Sequence, residues 1–253
     1  MSTRTTGPAT PSRDGSHLID PGGNFLQTLE NCEGHYVCPI GPDEKRLGPI
    51  VGYTTEYEPG KNWVGLEYFN FSKADQWPAV LTFFAAQMVR QMIEKDLVPD
   101  LILGAPWAGV KFSQEVARIL GCRHIFAEKK GDSNMILGRY ENEIRSGERV
   151  AVGEELVNNA GSTNKIIDLI ESGCGDALCI ICSINRSFPF RDSFPTASRG
   201  SIPIVGVIER STPQYRQDDP MVAEAIASGN IIWKPKYSWG LLKGVMDANS
   251  CRL

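Results

Sequence analysis

Apolar positions fall into three regimes along the chain. Between residues 75 and 95, Ala79, Val80, Phe83, Phe84, Met88, Met92 and Ile93 recur at three- and four-residue intervals. That spacing predicts a long amphipathic helix, with Pro78 in its first turn. From Asp100 onward, short apolar runs alternate with helical spacing. Strands are predicted at 101–103, 123–127, 150–152, 177–184 and 202–208. Helices are predicted over 110–120 and around Ile166, Ile167, Leu169 and Ile170. The alternation implies an α/β fold: a parallel sheet flanked by helices, with ligands at the carboxyl ends of its strands. Ahead of it, residues 34–70 mix Gly, Pro and aromatics, which reads as short strands and turns. A short helix over 25–29 is predicted, with Asn24 as its cap. Beyond 209, turn signals at Thr212-Pro213, Asp219-Pro220 and Lys234-Pro235 surround a short helical stretch, 221–228. The aromatics Trp233, Tyr237 and Trp239 are expected to cover a sheet edge or a subunit contact.

These regimes divide the chain into a leader (1–23), a small hood (24–74), an α/β core (75–208) and a C-terminal cover (209–253). The last three are read as one domain. The leader is rich in Ser, Thr, Pro and Gly without a hydrophobic stretch, so it is expected to be flexible rather than a secretory signal. An alternative for the hood region is an irregular subdomain that only packs.

Composition changes the picture chiefly by exclusion. With 42% hydrophobic and 22% charged residues among 253, the chain has the makeup of a globular protein. A formal net charge of -4 argues against a nucleic-acid partner. No apolar run is long enough to span a membrane, and the expected location is cytoplasmic. Seven cysteines, an odd number, are expected to be reduced. Cys179 and Cys182 form a CxxC inside a predicted strand, where residues three apart face opposite sides, so zinc and redox chemistry are set aside. His17, His35 and His124 show no ligand spacing.

The candidate chemistry lies at 149–163, Arg-Val-Ala-Val-Gly-Glu-Glu-Leu-Val-Asn-Asn-Ala-Gly-Ser-Thr. A short strand leads to paired acids, Glu154 and Glu155, and then to a turn of small and polar residues opening a helix. Such a turn can aim backbone N–H groups at an anion. Carboxylates beside it suit a ligand with both hydroxyls and phosphate, a sugar phosphate. The same stretch also reads as an ordinary strand–turn–helix with a solvated acidic loop.

This stretch resembles the phosphoribosyl diphosphate (PRPP) loop of type I phosphoribosyltransferases. The order of Gly-Ala-Pro-Trp-Ala-Gly, charged loop, paired acids and Ser-Ile-Asn-Arg is similar to that of orotate phosphoribosyltransferases, from about residue 24 to 239. The resemblance implies the type I phosphoribosyltransferase fold with an N-terminal hood, and transfer of ribose 5-phosphate from PRPP to orotate, with Mg2+, in a homodimer. Gly104, Trp107, Ala108 and Gly109 fall in the implied diphosphate loop. Glu154 and Glu155 match the acids that hold the ribose hydroxyls. Asn158, Asn159, Ala160, Gly161, Ser162 and Thr163 match the 5′-phosphate cradle. Arg186, with Asn158 and Phe69, is placed at the base, and Tyr68, Asn70 and Phe71 belong to the same hood segment. Lys129 is expected on a mobile catalytic loop, reaching a phosphate across a dimer interface, with Lys130 and Arg139 as lesser candidates. A charged, solvated hairpin is the alternative there.

Glu155 stands where the family usually has Asp, Asn158-Asn159-Ala160 where it has Thr-Thr-Gly, and Ala108 where many members carry Lys. Two alternatives to orotate transfer therefore stand beside it. One is a phosphoribosyltransferase for another base; the other is a PRPP- or nucleotide-binding regulatory protein without turnover.

Overall fold

The computed structural model describes residues 12–131, 134–159, 161–189 and 191–250. Helix α1 (Phe25–Asn31) starts at Asn24, whose side chain accepts from Gln27 N, as a cap should. Four strands follow: β1 (His35–Val37), β2 (Ile50–Glu58), β3 (Lys61–Gly65) and β4 (Glu67–Phe69). Helix α2 (Pro78–Glu94) has its proline at the first turn and buries Val80, Phe84, Met88 and Met92. Ile93, assigned to the same stripe from its spacing, is 59% exposed instead.

The core then runs β5 (Leu101–Gly104), α3 (Gly109–Leu120), β6 (Arg123–Phe126), β7 (Glu128–Lys130), β8 (Asn134–Ile136), β9 (Arg149–Val157), α4 (Gly161–Ser172), β10 (Asp176–Asn185), β11 (Ser193–Thr196) and β12 (Gly200–Glu209). The chain finishes with α5 (Ala223–Ala227), β13 (Ile231–Ile232) and α6 (Trp239–Ser250).

Six strands form the main sheet in the order β11-β12-β10-β9-β5-β6. All neighbours are parallel except β11, which runs antiparallel to β12 along the edge. One face packs on α1, α2 and α3 through Phe84, Met88, Phe112 and Ile181, and the other on α4 through Val152, Ile166, Ile170 and Ile180. Cys179 belongs to the first of these cores and Cys182 to the second, so the CxxC cannot close on one ligand. Burial pushes the Cys179 thiol up to about 12, which leaves it inert.

Small residues let α3 lie hard against the sheet. A Cβ on Gly153 would stand 2.3 Å from Ser113 Cβ, and one on Gly109 would stand 2.5 Å from the Gly153 carbonyl oxygen. Neither contact is tolerable, so glycine at both positions brings the start of α3 up to the end of β9.

Three boundaries differ from the sequence expectation. First, residues 12–23 are not a loose leader: Leu18 and Ile19 pack on the core, and the Asp14 carbonyl accepts from Ala79 N, satisfying one of the otherwise unpaired donors at the start of α2. Residues 1–11 lie outside the described residues. Second, β9 does not stop at Val152. It continues to Val157 because β10 runs on beside it and pairs with it through Cys182–Glu154, Ile184–Leu156 and Asn185–Val157.

Third, the hood is built from both ends of the chain. Parallel pairing of β13 with β2 completes a sheet of order β13-β2-β3, and Tyr215 bridges to Val64. Helix α6, unforeseen from the sequence, buries Trp239 and Leu242 against Tyr36, Val51 and Tyr53. Residues 209–250 therefore complete the hood rather than cover a sheet edge.

Candidate functional site

Where β9 and β10 end, the hood overhangs the main sheet and leaves a cleft in two connected halves. The larger, ≈ 530 Å³, runs from Tyr53 and Arg186 to Asn158, Gly161 and Thr163. The smaller, ≈ 220 Å³, lies between Pro106, Ala108 and Gly109 on one side and Glu154 and Glu155 on the other. Tyr68, Phe69, Leu156 and Lys236 line both halves.

The two acids occupy consecutive strand positions and so leave β9 on opposite sides. Glu154 is buried and accepts from Thr163 Oγ1 on α4 at 3.0 Å. Glu155 is half-buried on the other side, near Ser72, Asp75, Lys111 and Lys236. Burial raises its pKa above the ordinary carboxylate value, an effect that the nearby Lys236 ammonium partly offsets. Ser183 Oγ donates to the Glu155 carbonyl and fixes the backbone there.

Arg186 is held from every side. Its N–H donates to the Val157 carbonyl at 2.9 Å, continuing the β9–β10 ladder. The buried residues on either side are tied together, with Ser187 Oγ donating to Asn185 Oδ1 and Asn185 Nδ2 donating to the Arg191 carbonyl. The guanidinium lies over the Tyr53 ring, 4.1 Å from its centroid. Tyr53 is itself fixed by donating to the Glu67 carbonyl at 2.7 Å, and burial pushes its phenol above its usual value. Arg186 is only 4% exposed, yet its Nη1 has no hydrogen-bond partner among the described residues. A buried, unpartnered guanidinium nitrogen beside a cavity is a binding position for an anionic acceptor.

Phe69 forms part of the wall, with His35 stacked behind it at 4.5 Å and 8°. Asn158 is pinned as well: Gln214 Nε2 donates to its side-chain oxygen at 2.7 Å.

The structure thus gathers Ala108, Gly109, Glu154, Glu155, Asn158, Asn159, Gly161, Thr163, Arg186 and Phe69 around one cleft. Gly104 ends β5 behind it, and Ser162 lies in the first turn of α4. Trp107 is 67% exposed beside Pro106, and Ala160 lies outside the described residues. Phe71 is buried in the core rather than at the cleft.

Lys129 does not line either half. It is exposed on the β7–β8 hairpin with Lys130, while Arg139 Nε donates to Glu128 Oε1 at 2.8 Å. Between β6 and β9 the described residues form this hairpin, which was the alternative reading of the stretch, and a helical turn at Gly138–Tyr140. Sequence reasoning also missed Tyr53, Gln214 and the stretch from Trp233 to Tyr237. Its only signal was two lysines flanking a proline between aromatics.

No family model matches the chain. An orotate phosphoribosyltransferase of Caldanaerobacter subterraneus is 27% identical over 160 residues, which is 63% of this chain and 78% of that protein. One from Caldicellulosiruptor bescii is 31% identical over 121 residues, 48% of this chain and 62% of the relative. The chain is a homologue of the orotate phosphoribosyltransferases.

Solved structures give the fold. An orotate phosphoribosyltransferase from Aeropyrum pernix superposes with a TM-score of 0.50 at 12% identity, covering 74% of this chain and 93% of that one. The UMP synthase of Leishmania donovani superposes at 0.51 and 13% identity, over 76% of this chain and 37% of that one. The parallel sheet with flanking helices is the type I phosphoribosyltransferase fold. Among the described residues, no helix is long and apolar enough to cross a membrane.

Proposed function

We propose that this protein is a cytoplasmic orotate phosphoribosyltransferase of pyrimidine nucleotide synthesis, transferring ribose 5-phosphate from PRPP to orotate. The observation that carries the reading is the unpartnered Nη1 of Arg186, buried in the wall of the larger half of the cleft, while Pro106, Ala108 and Gly109 line the smaller half. Orotate is a planar pyrimidine bearing a carboxylate. A fixed guanidinium can pair with that group while Phe69 and Tyr68 face the ring.

In this reading the turn at 158–163 takes the 5′-phosphate. Glu154 and Glu155 hold the ribose hydroxyls, and residues 104–109 hold the diphosphate. The ring nitrogen of orotate attacks C1 of the ribose as the bond from C1 to the diphosphate oxygen breaks. The products are orotidine 5′-phosphate and pyrophosphate. Because the attacking nitrogen is already ionised, no protein base is required. Positioning and charge compensation carry the rate.

The donor set fits Mg2+. Two carboxylates flank the smaller half, and no group of three or more His, Cys, Asp or Glu side chains among the described residues could cage a metal. A hard dication that shares its shell between one or two carboxylates, water and substrate phosphates suits such a site. When bound, Mg2+ supplies positive charge that offsets the charge of the departing diphosphate.

The reading includes a homodimer, in which Lys129 serves the partner's diphosphate. Its support is that Lys129 is exposed on a hairpin away from its own cleft. Mixing the Lys129→Ala and Arg186→Ala variants tests this. Hybrid dimers regain part of the activity if Lys129 acts across the interface, and gain nothing if it acts within its own chain. Purified protein with PRPP, Mg2+ and orotate, followed by loss of orotate absorbance, tests the activity itself.

A further inference from the structure

The stretch from Trp233 to Tyr237 forms a strap across the mouth of the cleft, and all five of its residues line the larger half. It is anchored at both ends. Trp233 closes on β2 at Gly52, where even a Cβ would stand 2.6 Å from the indole. Trp239, two residues past the strap, is 6% exposed in the hood core. Between these anchors the chain turns, with Pro235 buried and Tyr237 N and Ser238 N both donating to the Lys234 carbonyl, at 3.0 and 3.1 Å. Lys236 rides on that turn.

Lys236 alone of the strap lines both halves of the cleft. In the smaller half the other charged lining residues are Glu154 and Glu155. The remaining charges facing Glu155 are Asp75 and Lys111, and these are paired with each other at 3.1 Å. Lys236 forms no ion pair among the described residues, so its ammonium is available to a ligand. A diphosphate entering a space walled by two carboxylates meets repulsion unless a cation faces it. A compact ammonium on a flexible stem is suited to phosphate oxygens.

We propose that Lys236 is a substrate-binding residue whose ammonium holds the diphosphate of PRPP at the junction of the two halves. This rests on the phosphoribosyltransferase reading and deepens it: the C-terminal strap, and not only the core loops, recognises the leaving group.

The test compares wild type with Lys236→Ala and Lys236→Arg, measuring PRPP binding by calorimetry and initial rates against PRPP and orotate separately. Loss of a charge-assisted contact should raise the Kd and KM for PRPP by about tenfold or more in the alanine variant. The KM for orotate at saturating PRPP should stay within about twofold, and arginine should restore part of the loss. Because Lys236 is exposed, the melting temperature of the unliganded protein should not move. An alanine variant that binds PRPP as wild type does overturns the proposal, as does equal weakening for both substrates. Wild-type protein that binds no PRPP at all overturns the phosphoribosyltransferase reading and this inference together. Wild type that turns over while Lys236→Ala is unchanged overturns the inference alone.

Discussion

Arg186 combines deep burial, a stacked aromatic and an unpartnered donor, and each has a consequence that can be measured. Replacing Arg186 with Ala should weaken orotate binding by about 1.5–3 kcal/mol, the worth of a hydrogen bond to a charged group. PRPP binding should change little, and calorimetry with each ligand separates the two. Glu155 makes a second prediction. Its folded pKa is raised by burial, so the folded state binds more protons than the unfolded state at pH values above the ordinary carboxylate value of 4.5. Stability should therefore fall as pH rises through that window, and the Glu155→Gln variant should lack this slope in melting curves over about pH 4 to 8. The same variant should lose activity if the carboxylate holds ribose. At this scale the sequence displayed the acids as a pair between a strand and a helix, and Arg186 through the family resemblance that places an Arg after the next strand. It concealed Tyr53 and Lys236, which line the cleft, and Gln214, which holds Asn158, because all three come from segments remote in sequence.

Among the elements, the seam of α3 against β5 and β9 was legible only as a glycine-bearing turn. The structure shows why Gly109 must lack a side chain: the helix start lies within contact of the Gly153 carbonyl. Gly109→Ala should force these elements apart, at a cost of about 1–3 kcal/mol, and raise the KM for PRPP. A normal melting temperature and KM would contradict the seam's role. The long helix α2 and the main strands were legible because their apolar periods were regular. The extension of β9 through Glu154 and Glu155 was not, since polar residues at a strand end look like a loop until the partner strand is known. Helix α6 escaped for a similar reason. Its apolar positions, Trp239, Leu241, Leu242, Val245 and Met246, are interrupted by Gly240 and Gly244. Leu242 is fully buried in the hood, so Leu242→Ala should cost the hood about 2–5 kcal/mol. Faster hydrogen exchange in β1 and β2, with the main sheet unaffected, would be the sign.

As a whole, the molecule is a parallel sheet whose strand ends supply the two acids, the start of α4 and Arg186, roofed by a hood drawn from residues 35–69 and 209–250. The alternation of strands and helices announced the sheet. The joining of residues 50–65 with 231–232 depends on a contact between the two ends of the chain, for which no local signal exists. The departures at Glu155, Asn158 and Asn159 lie at the same cleft as Arg186. Whether that local shell supports turnover is what decides between an enzyme and a binding protein. The most direct measurement is the rate of orotidine 5′-phosphate formation by the purified full chain with PRPP, Mg2+ and orotate. The account predicts catalytic turnover that saturates in both substrates and that Arg186→Ala lowers about 10- to 100-fold at subsaturating orotate. PRPP binding without any orotidine 5′-phosphate, or equal turnover by the Arg186→Ala variant, would contradict it.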